Sequence, residues 1–162
     1  MQRNVRFWPK ADTKAAIFSL SSPPVEPTQF RAAVHSLLLD LEQAGIAGDL
    51  RLWGDLQQLS PQVTDCLYQV VREALINVRR HAKATHVLVS VRTLADKVVA
   101  VIQDDGQGIA PEVLDTYRKN GAHWGLRGME SRVERLGGTL TLAPGDECGL
   151  IVTAAIPLRG AE

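Results

Sequence analysis

A long amphipathic helix followed by a β-hairpin constrains the fold of this chain more than any other feature. Ser60 and Pro61 form a typical helix start, and no Gly or Pro follows before Ala82. The alternating segments 85–93 and 98–102 predict two antiparallel strands. Antiparallel strands of this kind need helices on one face, so we expect an α+β fold, a two-layer α/β sandwich with a mixed, mostly antiparallel sheet. The apolar positions of the helix, spaced by three and four residues, are Leu67, Val70, Val71, Ala74, Leu75 and Val78.

The remaining elements suggest three parts. Breaks at several prolines and the lack of any period predict a flexible N-terminal tail over residues 1–27. A helical pattern begins at Thr28 and can end at Gly45, so residues 28–48 are interpreted as a connecting helix. Residues 49–160 are interpreted as one domain. Its other predicted elements are a strand over 49–53, a helix over 126–136 and strands over 139–142 and 150–156.

Composition excludes several classes of function. Lys and Arg together number 18, as do Asp and Glu, so no basic excess indicates nucleic-acid binding. Cys66 and Cys148 match no zinc or redox spacing, and Cys66 is expected to be a packed, reduced thiol. No apolar run approaches the ~20 residues of a membrane span. These observations favour a cytoplasmic location and no membrane span in this chain.

One face of the long helix carries a polar stripe. Glu73, Asn77 and His81 are each four residues apart and therefore lie along the same side. A carboxylate and an amide oxygen one turn apart can share Mg²⁺ or orient a water molecule. From these residues alone, an ordinary solvated helix face is an equally good interpretation.

Two glycine-containing segments follow. Asp104, Gly106 and Gly108 come directly after an apolar strand, where a carboxylate can accept a hydrogen bond from an exocyclic amine and the glycines let a flat ligand approach the backbone. A hairpin turn is the alternative. The segment from Gly121 to Gly128 opens onto a helix, and a helix N-terminus attracts anions.

Together and in this order, these motifs resemble the ATP-binding (catalytic) domain of histidine kinases. That domain belongs to the GHKL superfamily shared with gyrase and mismatch-repair ATPases, and the resemblance implies the Bergerat-type ATP-binding fold. Residues 72–82 look like the N box, 104–108 like the first glycine box, and 125–129 with 132–138 like the second. The residues of these motifs are most similar to those of the nitrate-sensor and desaturase-sensor branch.

The resemblance implies a role for each matched residue. Asn77 and Glu73 would hold Mg²⁺, and Glu73 would also act as the catalytic base or orient a water. Asp104 would accept a hydrogen bond from the adenine amino group of ATP. Residues 109–124 would form a lid over the nucleotide. The other residues assigned to nucleotide binding are Arg80 and His81 near the phosphates, and Gly106, Gly108, Gly125, Leu126 and Gly128 in the glycine boxes.

The expected function is that of a Mg-ATP-binding histidine protein kinase domain of a two-component system. His35 lacks the acidic neighbour of a phospho-accepting histidine, so we expect no phospho-acceptor domain in this chain. The phosphoryl group would go to a histidine-containing dimerisation domain in trans and then to a response regulator, from a monomer or weak dimer. The alternatives are a nucleotide-binding regulatory module without kinase activity and an anti-sigma-factor-type serine kinase.

Overall fold

A five-stranded sheet covered by helices on one face is the core of the molecule. The computed structural model describes residues 23–120 and 124–158. The strands are β1 (Ala47–Trp53), β2 (His86–Thr93), β3 (Lys97–Asp104), β4 (Thr139–Pro144) and β5 (Leu150–Pro157). The helices are α1 (Phe30–Gln43), α2 (Pro61–Asn77), α3 (Pro111–Asn120) and α4 (Trp124–Arg135). Short 3₁₀ turns cover Pro27–Gln29 and Leu56–Gln58.

The sheet is mixed and mostly antiparallel, as predicted. Its strand order is β1-β2-β3-β5-β4, with β1 and β2 parallel and every other neighbouring pair antiparallel. Ile102 on β3 pairs with Val89 on one side and Val152 on the other, and all three side chains are buried. Helices α1, α2 and α4 pack against the sheet, which confirms the two-layer architecture.

Helix α1 is amphipathic, as its sequence indicates. Phe30, Val34, Leu38 and Leu41 are buried along one side. At the end of the helix Gly45 adopts a φ of +85° and donates its N–H to the carbonyl of Glu42 at 3.0 Å. This left-handed ending is the one that glycine favours.

Helix α2 begins as predicted but ends differently. The hydroxyl of Ser60 accepts the N–H of Val63 at 3.2 Å, which caps the first turn. After Asn77 the chain widens into a π-helical turn over Val78–Ala82, here called the π turn, and Lys83 then adopts a left-handed φ of 50°. The sequence pattern predicts a regular helix to Ala82. It cannot predict the π turn, since a local pattern does not show that the carbonyls of His81 and Ala82 are bonded to a distant segment.

Helix α3 is not anticipated by the sequence analysis, which treats residues 109–124 only as a lid. Pro111 occupies its first position, Glu112 lies in its first turn and Leu114 is buried, all of which suit a helix start that packs on the core. Residues 121–123 of the predicted lid lie outside the described residues.

Other sequence expectations have mixed outcomes. Cys66 is a buried free thiol, and burial raises its pKa to about 11, whereas Cys148 is free and exposed. Among residues 23–120 and 124–158, no helix has the length and apolarity needed to cross a membrane. The predicted tail falls mostly outside the described residues, which begin at Pro23. The three-part division of the chain therefore stays a prediction.

Candidate functional site

A cleft opens between the C-terminal half of α2 and the ends of β3 and β5. Its polar lining consists of Asn77, His81 and Asp104, which come from the helix end, the π turn and the last residue of β3. The other lining residues are Ala74, Val78, Ala82, Ile102, Gly108, Ile109, Leu150 and Val152. A mostly apolar cleft with a few convergent polar groups is typical of a small-molecule site.

Asp104 is a carboxylate held in a buried position. Its side chain is 5% exposed, and Oδ1 accepts the N–H of Gly106 at 2.8 Å. Burial raises the pKa of Asp104, while the backbone N–H groups of Gly106 and Leu150 partly offset that rise. A buried acid supported in this way can present a hydrogen-bond acceptor to a ligand in the cleft.

Asn77 and His81 face the same cleft from the helical side. Asn77 is 8% exposed, so its amide is a buried polar group next to the cleft. Burial, followed by the charge of Arg80, lowers the pKa of His81. Burial and the neighbouring positive charge therefore both disfavour the cationic form of the His81 imidazole. Arg80 itself is exposed and does not line the cleft.

Glu73 lies one turn before Asn77 and is half-buried outside the cleft lining. A Cβ atom added to Gly125 would lie 2.7 Å from Oε1 of Glu73, so this carboxylate touches the start of α4. The N-box helix and the second glycine box therefore meet at Glu73. The sequence pattern alone cannot show this contact, since the two residues are far apart in the chain.

The first glycine box packs against its surroundings through backbone contacts. A Cβ on Gly106 would overlap the carbonyl of Ala82, and one on Gly108, whose φ is +69°, would lie 2.8 Å from the carbonyl oxygen of Gly149. Gly149, with a φ of +79°, is in turn pressed against the backbone of Asp104. Sequence analysis missed Gly149. Its only signal is a glycine directly before the last strand.

The second glycine box is arranged differently. Gly125 and Gly128 both lie in the first turns of α4. Among the described residues, and outside the neighbouring backbone of the helix, no atom lies within 4 Å of a Cβ placed on Gly128. Leu126 is 1% exposed and belongs to the hydrophobic core. It is not among the residues that line the cleft. Of the sequence-predicted site residues, the structure brings Asn77, His81, Asp104 and Gly108 together in the cleft.

The oxygen donors near the cleft suit Mg²⁺. Asn77 offers an amide oxygen and Glu73 a carboxylate, both hard ligands, and Mg²⁺ commonly takes one or two protein oxygens together with waters and substrate phosphates. Within residues 23–120 and 124–158, no cluster of three or more His, Cys, Asp or Glu side chains could hold a metal by itself. The donor set therefore fits a cation shared with a phosphate ligand.

Comparison with known proteins decides the family. Residues 62–160 match the family described as histidine kinase-, DNA gyrase B-, and HSP90-like ATPases. The chain belongs to this family. The matched range contains both glycine boxes, the N box and every residue that lines the cleft.

Similar curated proteins are sensor kinases. The chain is 34% identical over 121 residues to the signal transduction histidine-protein kinase/phosphatase DegS of Brevibacillus brevis. The matched region covers 75% of this chain and 30% of DegS. It is 34% identical over 152 residues to the nitrate/nitrite sensor protein NarQ of Escherichia coli, covering 83% of this chain and 26% of NarQ. The chain thus spans about a quarter to a third of the length of these relatives.

Solved structures share the fold. The histidine kinase domain of the Erythrobacter litoralis EL346 blue-light activated kinase superposes with a TM-score of 0.64 at 19% identity, covering 90% of this chain and 69% of that one. The histidine kinase AdeS of Acinetobacter baumannii gives a TM-score of 0.61 at 23% identity, covering 80% and 65%. The predicted ATP-binding domain of the histidine kinase type, within the GHKL superfamily, is confirmed.

Proposed function

We propose that this chain binds Mg-ATP and transfers the γ-phosphoryl group to a histidine on a separate domain or chain. The observation that carries the proposal is the placement of buried Asp104 and Asn77 in one cleft, an acceptor for a base at one side and a cation ligand at the other. The family match and the sensor-kinase relatives support this assignment.

The apolar part of the cleft suits a nucleobase. Ile102, Ile109 and Leu150 line it around Asp104. The carboxylate of Asp104 accepts the hydrogen bond of the adenine amino group, and a guanine would instead present a carbonyl oxygen to that carboxylate. A buried acceptor of this kind discriminates strongly, because the wrong base leaves it unpaired.

The phosphates lie toward the end of α2 and the start of α4. Asn77 and Glu73 supply oxygen ligands for Mg²⁺, which neutralises phosphate charge when it is bound. The N–H groups in the first turn of α4 favour anions, and Glu73 touches that turn at Gly125. Asn77 and Glu73 thereby orient the triphosphate toward the edge of the cleft.

The transfer step needs an acceptor with a free electron pair. The unprotonated imidazole nitrogen of the acceptor histidine attacks the γ-phosphorus. A nitrogen–phosphorus bond forms while the bond from that phosphorus to the bridging oxygen breaks, and ADP leaves with the electron pair. The proton on the other imidazole nitrogen passes to the carboxylate of Glu73, directly or through water. A response regulator would then receive the phosphoryl group.

Binding and chemistry are tested separately. Asp104→Ala removes the base acceptor, so ATP affinity measured by calorimetry should fall by about a hundredfold or more. Asp96→Ala, an exposed acid in the β2–β3 turn, is the matched control and should bind ATP as the wild type does. Undiminished affinity of Asp104→Ala would overturn the adenine assignment.

Transfer is tested with γ-labelled ATP and a histidine-containing dimerisation domain supplied in trans. The wild type should label that domain, whereas Glu73→Gln should keep ATP affinity and lose about a hundredfold in labelling rate. Glu134→Gln, an exposed acid on α4, is the control. If ATP binds but no histidine domain is labelled, the regulatory module is the better assignment. Labelling of a serine would favour the anti-sigma-factor-type kinase.

A further inference from the structure

Two side chains of the first glycine loop (104–108) do not line the cleft. Asp105 and Gln107 are both exposed, and both bind the chain segment that follows α2. Neither residue is assigned a role above. The hydrogen bonds from Asp105 and Gln107 to residues 81–86 are called the clasp below.

Asp105 provides the larger part of the clasp. Its Oδ1 accepts the N–H of Thr85 at 2.8 Å and that of His86 at 2.9 Å. Its Oδ2 accepts the hydroxyl of Thr85 at 2.6 Å. The backbone N–H of Asp105 also donates to the carbonyl of His86 at 3.2 Å. A carboxylate that accepts three donors from one short segment fixes that segment closely, since charge-assisted bonds are the stronger kind.

Gln107 binds the π turn itself. Its Nε2 donates to the carbonyl of His81 at 2.6 Å, and its backbone N–H donates to the carbonyl of Ala82 at 2.8 Å. These carbonyls lie at a helix end, where no further turn of the helix can supply partners. Gln107 thus ends the π turn by bonding it to the glycine loop.

The clasp connects the two sides of the cleft. Asn77 immediately precedes the π turn, and Asp104 immediately precedes Asp105. The clasp therefore joins the segment that follows Asn77 to the loop that begins at Asp104.

We infer that Asp105 and Gln107 are positioning residues that keep Asn77 and Asp104 at the separation one nucleotide requires. The purpose of that separation rests on the proposed function: the base is bound at Asp104 and the phosphates with their cation at Asn77. A ligand of fixed length can contact both binding groups at once only when those groups are correctly spaced. Loss of the clasp weakens the cooperation between base and cation binding more than it weakens the fold.

The test measures ATP affinity by calorimetry with Mg²⁺ and with a chelator, and amide hydrogen exchange of the nucleotide-free protein. Asp105→Ala should weaken Mg-ATP binding by about tenfold. The Mg²⁺ gain, which is the ratio of the ATP affinity with Mg²⁺ to that with a chelator, should fall toward one. A change that only destabilised the fold would leave this Mg²⁺ gain unchanged in the folded molecules. Exchange in segments 81–86 and 104–108 should become about tenfold faster.

Asp105→Asn is the conservative variant. Its Oδ1 can accept the N–H groups of Thr85 and His86, and its Nδ2 can donate to the Thr85 hydroxyl, so it should restore wild-type binding and exchange. Gln107→Ala, which removes one exposed bond, should weaken Mg-ATP binding about threefold. Asp96→Ala and Gln58→Ala, with exposed side chains outside the clasp, are the matched controls and should change nothing.

An unchanged Mg²⁺ gain in Asp105→Ala would overturn the inference, as would an Asp105→Asn variant as weak as the alanine variant. If Asp105→Ala does not fold, Gln107→Ala decides by the same ratio. If the wild type does not bind ATP, the proposed function fails. The exchange rates then decide the clasp alone: faster exchange in both segments supports it, and unchanged rates overturn it.

Discussion

The two glycine boxes both contain closely spaced glycines but have different surroundings. In the first, Gly106 and Gly108 pack against the backbone of Ala82 and Gly149, so no side chain fits at either position. In the second, a Cβ added to Gly125 would meet the flexible end of Glu73, and one added to Gly128 would meet no atom of the described residues within 4 Å outside the neighbouring backbone of its own helix. Glycine is required in the first box by the protein itself. In the second it leaves space that the protein alone does not use.

The difference indicates that the two glycine boxes contribute to the site in different ways. The loop that carries Asp104 is held in place by the protein itself, because Gln107 bonds it to the π turn and Gly108 packs on Gly149, just before β5. The second box lies at the start of α4, outside the residues that line the cleft. Under the proposed function, the base would bind to a preformed loop, whereas the phosphates would lie toward less closely packed glycines.

Gly106→Ala should have the largest effect. The added methyl group would overlap the carbonyl of Ala82 in a buried position, and rigid backbone cannot move aside as a side chain can. We expect a loss of about 3 kcal/mol of unfolding free energy, together with loss of measurable ATP binding. Denaturant unfolding and calorimetry check this. Near-wild-type stability would mean that the first box is less rigid than its contacts indicate.

Gly125→Ala should have an intermediate effect, on phosphoryl transfer and on the contribution of Mg²⁺, with ATP affinity in the absence of Mg²⁺ little changed. Its new methyl group would meet Oε1 of Glu73 at 2.7 Å, and that carboxylate can rotate away at little cost to the fold. Displacing the proposed base should slow phosphoryl transfer by about ten- to a hundredfold, while ATP affinity measured with a chelator of Mg²⁺ changes by about twofold at most. Single-turnover transfer and calorimetry separate the two effects. A large drop in affinity would show that the second box also binds the ground state.

Gly128→Ala should have the smallest effect, and in the opposite direction for stability. The position is exposed, lies within α4 and has open space around it. Alanine in a helix is favoured over glycine by about 0.5–1 kcal/mol, so the nucleotide-free protein should unfold at a slightly higher temperature. ATP affinity should stay within about twofold. A lower unfolding temperature would contradict the open surroundings seen here.

Most of the fold follows from local patterns in the sequence. The alternation in β2, β3 and β5 and the capped start of α2 are short-range signals, and the structure agrees with them. Helix α3 was missed because the surrounding glycines dominate the pattern and only Pro111 and Leu114 indicate a helix that packs. The parallel pairing of β1 depends on α2 crossing between two strands, which no local pattern specifies.

The site is predictable only in part, for a physical reason. Asn77 and Asp104 are found from motifs because their chemistry needs particular residue types. Gly149 and the contact between Glu73 and Gly125 arise from segments brought together by tertiary packing. The carbonyl of His81 in the π turn accepts a hydrogen bond from Gln107, which lies 26 residues further along the chain, so a local pattern does not show it.

The contact of Gly149 and Leu150 with Asp104 has a consequence for how the protein is made. The acceptor in the cleft is complete only when β5, the last strand, has docked beside β3. A ribosome-bound chain that ends before this strand would lack a wall of the pocket. Under the proposed function, nucleotide affinity therefore reports whether β5 has docked beside β3.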